Sequence, residues 1–427
     1  MKVTGIVCEY NPFHSGHKYL IEQARNNGSE FIIAVMSGNY VQRGVPAFMD
    51  KYIRSEIALK MGVDMIIELP VVFAASSSEV FASAAVAILD KTGIVSDIIF
   101  GSECADIDIL WLFAKILATE PTTYRNYVQE KLKNGSSYAT AKYDSLIEYI
   151  CNTGSESVCS DCNIDFKTYL NLLEKYKKEE FSPIINSPNN NLGIEYLKAI
   201  YLRKSNITPI TVKRINNNYH DEENSGASYS ATALRHAILS NDFSYIDDDY
   251  LRNVYKTNYN VSFPIQADDF SALLGEKLLK AYRFDDIYGV NIALSNKIKN
   301  KVYDYTCYSD FITLLKTKEI AYSAISRSLL HILLGIKDSD VKEFIQNDYC
   351  DFIRILGFTK NGSSLMADIQ KNIYTVINPS KDEHAISNRF KKLYDINMYA
   401  DNLYRMIQMN KFKYTEYNEY TRKCLIL

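Results

Sequence analysis

The chain lacks any run of about 18 continuous apolar residues, the length that a membrane-spanning helix needs. It also lacks an excess of positive charge, because 48 Lys and Arg stand against 51 Asp and Glu, for a net charge of −3. This balance excludes a uniformly basic nucleic-acid binder but allows a local basic patch. The apolar N-terminus predicts a strand and not a signal peptide, since charged Glu9 and turn residues follow it at once. We therefore expect a cytoplasmic protein with neither membrane nor DNA as a partner.

Cysteine is sparse, with eight residues scattered over 427. This scatter is typical of reduced thiols and not of a disulfide framework. Cys159 and Cys162 form one CxxC with Cys151 nearby, but a structural zinc site needs about four ligands and no second pair follows at the usual spacing. We expect no metal site, and we expect residues 152–163 to form a solvent-facing insertion loop.

Short apolar runs alternate with helical patterns in the first hundred residues. The runs cover residues 3–8, 31–36, 64–69 and 98–101, and the helical patterns cover residues 17–24, 51–61 and 80–89. Continuous apolar strands alternating with helices predict βαβ units and a parallel sheet covered on both faces. The fold class is therefore α/β, with a Rossmann-like parallel sheet.

The pattern changes along the rest of the chain. Residues 110–178 are predicted to be helical apart from the insertion loop, residues 207–212 form one more strand, and mostly amphipathic helices follow residue 230. We predict a catalytic domain over residues 1–240 and a mostly helical domain over residues 241–427, with no internal repeat.

The stretch EYNPFHSGHKYL at residues 9–20 places two histidines around a glycine directly after the first strand. Ligands of open parallel sheets bind beyond the carboxyl ends of the strands, where helix N-termini favour phosphate. His14 and His17 can then donate hydrogen bonds to a triphosphate, and Gly16 allows close approach of the backbone. Two other interpretations stay open at this point: a metal site, which lacks an obvious third ligand, and a purely structural role as capping or core residues.

This stretch resembles the HIGH-type signature of the nucleotidyltransferase superfamily, whose members act at the α-phosphate of ATP. The superfamily has a second signature, Ser-Ser-Thr-x-Ile-Arg, which residues 230–235 resemble with alanine and leucine at two positions. Hydroxyl groups at a helix start and an arginine one turn later are suited to phosphate oxygens. The pair of signatures therefore predicts a nucleotidyltransferase domain.

Further motifs resemble one family, the bacterial tRNA(Met) cytidine acetate ligases. They are MSGNYVQRG at residues 36–44, IELP at 67–70, FGSE at 100–103, SPNNNLG at 187–193, Arg214 followed by YHD at 219–221, and DFIRILGF at 351–358. The resemblance spans most of the chain, but the cysteine-bearing segment has no counterpart in it.

The resemblance implies an ATP-dependent ligase that activates acetate as acetyl-adenylate. The acetyl group would pass to N4 of the wobble cytidine of elongator tRNA(Met), and Mg²⁺ would accompany ATP. The helical domain over residues 241–427 would bind the tRNA. It implies catalytic roles for His14, His17, Ser230, Thr232 and Arg235. It also implies an ATP site made of Val7, Cys8, Glu9, Tyr10, Asn11, Pro12, Phe13, His14, Ser15, Gly16, His17, Lys18, Tyr19, Leu20, Gly101, Asn189 and Arg214.

Candidate RNA-binding cations are less specific. Arg43, Lys51 and Arg54 follow the second strand, and residues 410–414 and 422–423 interleave cations with aromatic rings. Such a pattern suits backbone contacts with base stacking, although it also occurs on solvated helix faces. Two other functions stay open: an adenylyltransferase that transfers AMP to a small phosphorylated acceptor, and a nucleotide-binding RNA adaptor without catalysis.

Overall fold

The structure is a computed structural model that describes residues 1–214, 230–317, 320–413 and 418–427. Its contacts divide the chain into two compact units. Unit 1 comprises Met1–Val95 and Asn216–Leu427, and unit 2 comprises Ser96–Ile215.

Unit 1 begins with alternating strands and helices, as the apolar runs predict. Its first part contains β1 (Val3–Cys8), α1 (Ser15–Asn26), β2 (Phe31–Ser37), β3 (Tyr40–Val41), β4 (Val45–Pro46), α2 (Lys51–Lys60), β5 (Met65–Leu69), α3 (Val71–Ala74) and α4 (Ser78–Lys91). β1, β2 and β5 pair in parallel, with Val3 opposite Phe31 and Ile33 opposite Met65. The strands are almost wholly buried, because helices cover a parallel sheet on both faces.

A glycine brings helix α4 close to strand β1. A Cβ atom at Gly5 would lie 2.7 Å from Cδ1 of Leu89, so any larger residue would force the Leu89 side chain to shift. The packing lies behind the strand whose carboxyl end leads into residues 9–14, the histidine loop, which connects β1 to α1.

Unit 2 contains two parallel strands and seven helices between them. They are β6 (Asp97–Ser102), α5 (Ile107–Thr119), α6 (Thr122–Lys133), α7 (Tyr138–Asn152), α8 (Ser155–Cys162), α9 (Phe166–Lys175), α10 (Lys178–Asn186), α11 (Pro188–Arg203) and β7 (Thr208–Lys213). β6 pairs with β7 from Asp97 opposite Thr208 to Ser102 opposite Lys213.

The second part of unit 1 is mostly helical, as predicted. It contains α12 (Ala231–Leu239), α13 (Asp249–Asn258), α14 (Ser271–Lys280), α15 (Ile292–Lys301), α16 (Tyr308–Leu315), α17 (Tyr322–Leu334), α18 (Asp338–Gln346), β8 (Phe352–Phe358), α19 (Met366–Gln370), β9 (Tyr374–Val376), α20 (Pro379–Asp382), α21 (Asn388–Phe412) and β10 (Leu425–Ile426). Four short 3₁₀ helices lie at Ala267–Phe270, Val302–Asp304, Gly362–Leu365 and Glu383–Ala385.

Strand β8 extends the sheet of unit 1 and was not expected from the sequence. It pairs antiparallel with β5, with Met65 opposite Phe358, and its other edge pairs in parallel with β9 and β10. The α/β fold class is confirmed. The predicted boundary between the catalytic domain and the helical domain, at residue 240, falls inside unit 1. The separate functions of these two parts of the chain stay a prediction.

The insertion loop predicted for residues 152–163 is wrong. Most of this segment is helix α8, and Cys159 and Cys162 are buried on its inner face beside Val158, while Cys151 is exposed. The helix packs against α5, where the hydroxyl of Thr119 lies 3.5 Å from Sγ of Cys162. The two cysteines are therefore small core residues. Over the described parts of the chain, no group of three or more His, Cys, Asp or Glu side chains could hold a metal ion.

Candidate active site

The histidine loop leaves the carboxyl end of β1 and enters helix α1. Arg54, wholly buried on α2, donates from Nη1 to the carbonyl oxygens of Glu9 at 2.6 Å and Ser37 at 3.0 Å. It therefore holds the ends of two adjacent strands at one edge of the sheet. Tyr255 secures the other end of the loop, because its hydroxyl donates to the carbonyl oxygen of Phe13 at 2.7 Å.

His14 and His17 both cap helix α1. Nδ1 of His14 accepts the N–H of Gly16 at 3.1 Å, and Nδ1 of His17 accepts the N–H of His14 at 3.2 Å. The two rings stack, with centroids 3.8 Å apart and planes inclined by 25°. The capping interpretation is therefore correct as a description of the geometry.

Capping also sets the chemistry of the two rings. A backbone N–H can only donate, so each Nδ1 is an acceptor and the proton of a neutral ring lies on Nε2. An Nε2–H group is a hydrogen-bond donor, as stabilisation of a phosphate oxygen requires. The phosphate-binding role of the two histidines stays a prediction with which this geometry agrees.

The second signature meets the histidine loop through Arg235. Nη1 of Arg235 donates to the carbonyl oxygen of Asn11 at 2.6 Å, and its Nη2 donates to Oγ1 of Thr232 at 2.9 Å. Ser230 is the N-cap of α12, and its Oγ accepts the N–H of Ala233 at 3.2 Å. Both hydroxyl oxygens accept hydrogen bonds from the chain, and each hydroxyl group also has a proton that it can donate.

Charges around this junction favour an anion. Burial lowers the pKa of Arg235, the nearby cation of Arg43 lowers it further, and Glu9 opposes both effects. A guanidinium nevertheless stays protonated at neutral pH. Burial raises the pKa of Glu9, against the opposing effects of the Gln42 N–H, 2.8 Å from its Oε1, and of nearby arginines.

The remaining loop residues mainly form the base of the site. Cys8, Tyr10, Asn11, Pro12 and Phe13 are buried, whereas Ser15 is exposed. The ring of Tyr10 packs 4.9 Å from Phe13 and 5.0 Å from His17, measured between centroids. Buried side chains of this kind shape the loop, and its contacts with ATP stay a prediction. Val7, Gly16, Lys18, Tyr19 and Leu20 are partly buried, and Lys18 forms an ion pair with Asp248 at 3.0 Å.

Unit 2 brings together the three other predicted ATP-site residues. Nη1 of Arg214 donates to Oδ1 of Asn189 at 2.9 Å. A Cβ atom at Gly101 would lie 3.1 Å from Cγ of Arg214, so the glycine leaves room for the arginine stem. Nδ2 of Asn189 donates in turn to Oε1 of Glu103 at 2.6 Å.

The chain is similar to known proteins over its full length. The family model described as HIGH Nucleotidyl Transferase matches residues 1–419. The tRNA(Met) cytidine acetate ligase of Acetivibrio thermocellus is 33% identical to the chain over 440 residues, with 100% of both proteins covered. The chain belongs to the tRNA(Met) cytidine acetate ligase family.

Other members of the tRNA(Met) cytidine acetate ligase family are similarly related. The Clostridium kluyveri protein of that name is 35% identical over 390 residues, with 87% of this chain and 88% of the relative covered. A crystal structure described as Thermotoga maritima TmcAL bound with alpha-thio ATP covers 100% of both chains, with 30% identity and a TM-score of 0.87. The family and the fold predicted from the motifs are confirmed.

Two of the cations predicted to contact RNA are placed elsewhere by the structure. Lys51 and Arg54 are wholly buried, so their predicted RNA contact is wrong. Nζ of Lys51 lies 2.8 Å from Oε1 of Glu68, and Arg54 binds backbone carbonyl groups. Of the three cations that follow β2, only Arg43 is exposed.

The C-terminal cations have mixed surroundings. Lys411 and Lys413 are exposed, and Lys411 pairs with Asp269 at 2.8 Å. The guanidinium of Arg422 stacks on Tyr52, 4.5 Å from the ring centroid. The described residues do not include Tyr414, the last residue of the stretch 410–414. They also do not include Tyr219, His220 and Asp221 of the YHD motif.

Three residues hold predicted site residues in place, in roles that the sequence did not indicate. Arg54 fixes the start of the histidine loop, and Glu103 and Asn190 join the end of β6 to the start of α11. Glu103 stands in the FGSE motif and Asn190 in the SPNNNLG motif, so the motifs contain both residues but give no role to either. Apolar Ile57 and Ala58 stand one helical turn after Arg54, which indicates that this face of α2 is buried.

Proposed function

We propose that the protein activates acetate with ATP and transfers the acetyl group to N4 of the wobble cytidine of elongator tRNA(Met). The hydrogen bond between Arg235 and the Asn11 carbonyl oxygen carries this proposal, because it joins the two signatures into one anion-binding edge. Membership of the tRNA(Met) cytidine acetate ligase family supports the choice of substrates.

In the first step a carboxylate oxygen of acetate attacks the α-phosphorus of ATP. The bond from that phosphorus to the bridging oxygen breaks, and pyrophosphate leaves. His14 and His17 donate from Nε2, and Ser230, Thr232 and Arg235 add donors for the charge that develops on the leaving group. Fixed donors of this kind accelerate a reaction by stabilising the transition state, without a covalent protein intermediate.

Mg²⁺ is proposed to enter with ATP. The described residues offer no group of three or more acidic or histidine ligands for a metal. Mg²⁺ commonly binds through substrate phosphates, water and one or two carboxylates, so the donor set fits an ion carried by the nucleotide. When bound, it would neutralise part of the phosphate charge.

In the second step N4 of cytidine attacks the acyl carbon of acetyl-adenylate. The acyl–oxygen bond to AMP breaks, and N4 loses a proton. Enzymes that modify a base generally take it out of the stack, and RNA loops are recognised through unstacked bases that stack on protein side chains.

Exposed Arg43, Lys411 and Lys413 are the proposed contacts for the RNA backbone. A cytoplasmic location agrees with this substrate. Among the described helices, none is long and apolar enough to cross a membrane.

The test has two parts. Acetate-dependent exchange of pyrophosphate into ATP, without RNA, measures acetyl-adenylate formation. Incubation with ATP, labelled acetate and bulk tRNA, followed by nucleoside analysis, should then give N4-acetylcytidine in elongator tRNA(Met). Exchange that does not depend on acetate, or label absent from cytidine, would refute the proposal and favour the adenylyltransferase or adaptor alternatives.

A further inference from the structure

Glu103 joins the end of strand β6 to the start of helix α11. Its Oε1 accepts the backbone N–H of Asn189 at 3.3 Å and the side-chain Nδ2 at 2.6 Å, and its Oε2 accepts the N–H of Asn190 at 2.8 Å. Oδ1 of Asn190 accepts the N–H groups of Glu103 at 2.8 Å and Cys104 at 3.2 Å in return. The carboxylate is therefore held in place by bonds in both directions.

These bonds fix the orientation of the Asn189 amide. Its NH₂ group faces the Glu103 carboxylate, and its oxygen faces Nη1 of Arg214 at 2.9 Å. A reversed amide would place oxygen against the carboxylate and NH₂ against the guanidinium. Both contacts would be repulsive, so only one orientation is compatible with the two charged neighbours.

The hydrogen-bonding capacity of Asn189 then shows what it can recognise. A primary amide has two N–H donors and two lone pairs on oxygen. Glu103 takes one donor and Arg214 takes one lone pair. One donor and one acceptor are left for a ligand, which matches the N7 acceptor and N6 amino donor of adenine.

We propose that Glu103 is a positioning residue that fixes the Asn189 amide so that the site selects adenine over 6-oxopurines. The proposal rests on the proposed function in so far as Asn189 belongs to the ATP site. A 6-oxopurine has an acceptor at O6 where adenine has a donor, and the fixed amide cannot rotate to suit it. Glu103 contributes to specificity without touching the base.

Comparison of ATP with ITP tests this role in the variant Glu103→Gln. The neutral amide of glutamine accepts or donates equally well, so it no longer dictates the orientation of Asn189. The preference for ATP over ITP, as the ratio of kcat/KM in acetate-dependent exchange, should fall by a factor of roughly 5 to 150, the discrimination of one bidentate amide–base pair. Calorimetric titration of ATP and ITP without acetate should show that the Kd values of the two nucleotides differ less in the variant than in the wild type, independently of the ligase reaction.

Glu180→Gln is the matched control, because Glu180 caps α10 in the same unit by accepting the N–H of Lys177 at 2.8 Å. This variant loses a capping carboxylate but should keep the ATP preference. Glu103→Asp, which retains a carboxylate, should keep more of the preference than Glu103→Gln. The proposal would be overturned if the ratio of kcat/KM for ATP to kcat/KM for ITP stayed unchanged in Glu103→Gln, even where both values fell equally. A wild-type protein that prefers ATP in titration but shows no acetate-dependent exchange would instead refute the proposed function alone.

Discussion

Lys51→Met should greatly destabilise the protein, because Lys51 is one of two cations that contact three buried acidic side chains. Its Nζ lies 2.8 Å from Glu68, 2.5 Å from Asp401 and 3.2 Å from Glu419. Arg354 is the second cation, 2.5 Å from Glu419 and 3.4 Å from Asp401. Three carboxylates thus share two cations, and removal of Lys51 leaves one.

The expected decrease in the free energy of unfolding follows from the burial of Lys51. Loss of one partner from a buried ion pair leaves an uncompensated charge in a poorly solvated site and costs about 3–5 kcal/mol. Methionine matches the length of the lysine stem, so little of this cost would come from an empty cavity. Lys411→Met is the control, because its ion pair with Asp269 is partly exposed and such pairs contribute about 0–1 kcal/mol.

The destabilisation should depend on pH. Burial raises the pKa of Asp401 to about 8, and Lys51 opposes this effect. Lys51 also lowers the pKa of Glu419, against the opposing effect of burial. Removal of Lys51 should therefore raise the folded-state pKa of both carboxyl groups. A group with a raised folded-state pKa stabilises the fold below its unfolded pKa and loses this contribution as pH rises through the folded value. The difference in unfolding free energy between the variant and the wild type should therefore shrink as pH falls and widen towards alkaline pH.

Urea unfolding followed by far-UV circular dichroism is the appropriate measurement. The single tryptophan, Trp111, lies in unit 2, whereas Lys51 lies in unit 1, so tryptophan fluorescence alone would report on the wrong unit. A loss for Lys51→Met no larger than that for Lys411→Met, or a loss that grows as pH falls, would refute this account of the cluster.

Three further predictions concern the site, the RNA surface and the cysteines. His17→Ala should reduce acetate-dependent pyrophosphate exchange by roughly 10²–10³, the usual cost of one charge-stabilising donor, while circular dichroism stays unchanged; near-normal exchange would argue against a phosphate role. Raising salt from about 50 to 200 mM should suppress acetyl transfer to tRNA far more than pyrophosphate exchange, and substitution of Lys411 and Lys413 by glutamine should weaken the salt dependence of the transfer. Equal suppression of both steps would place the RNA-binding surface elsewhere. Changing Cys159 and Cys162 to serine should leave zinc content and activity unaltered but lower the melting temperature, because both thiols are buried. Bound zinc that is lost on this substitution would contradict their role as core residues.

Local sequence patterns determined the α/β start of the chain. Continuous apolar runs such as residues 3–8 and 31–36 form parallel strands because such strands are buried on both faces and need no polar alternation. The two signatures were also recognisable locally, since each is a short stretch at a helix start whose side chains act together through neighbouring positions. The catalytic assignment of these residues stays a prediction.

Tertiary structure alone decided where isolated charges and cysteines lie. Lys51 follows a strand at the ligand-binding edge and has the pattern of an RNA contact, but its partners Asp401 and Glu419 come from the far end of the chain. Cys162 stands in a polar stretch that resembles a loop until α8 packs on α5. The side chains of Lys51 and Cys162 are each buried by residues that are distant in sequence. Local composition therefore does not show that these side chains are removed from water.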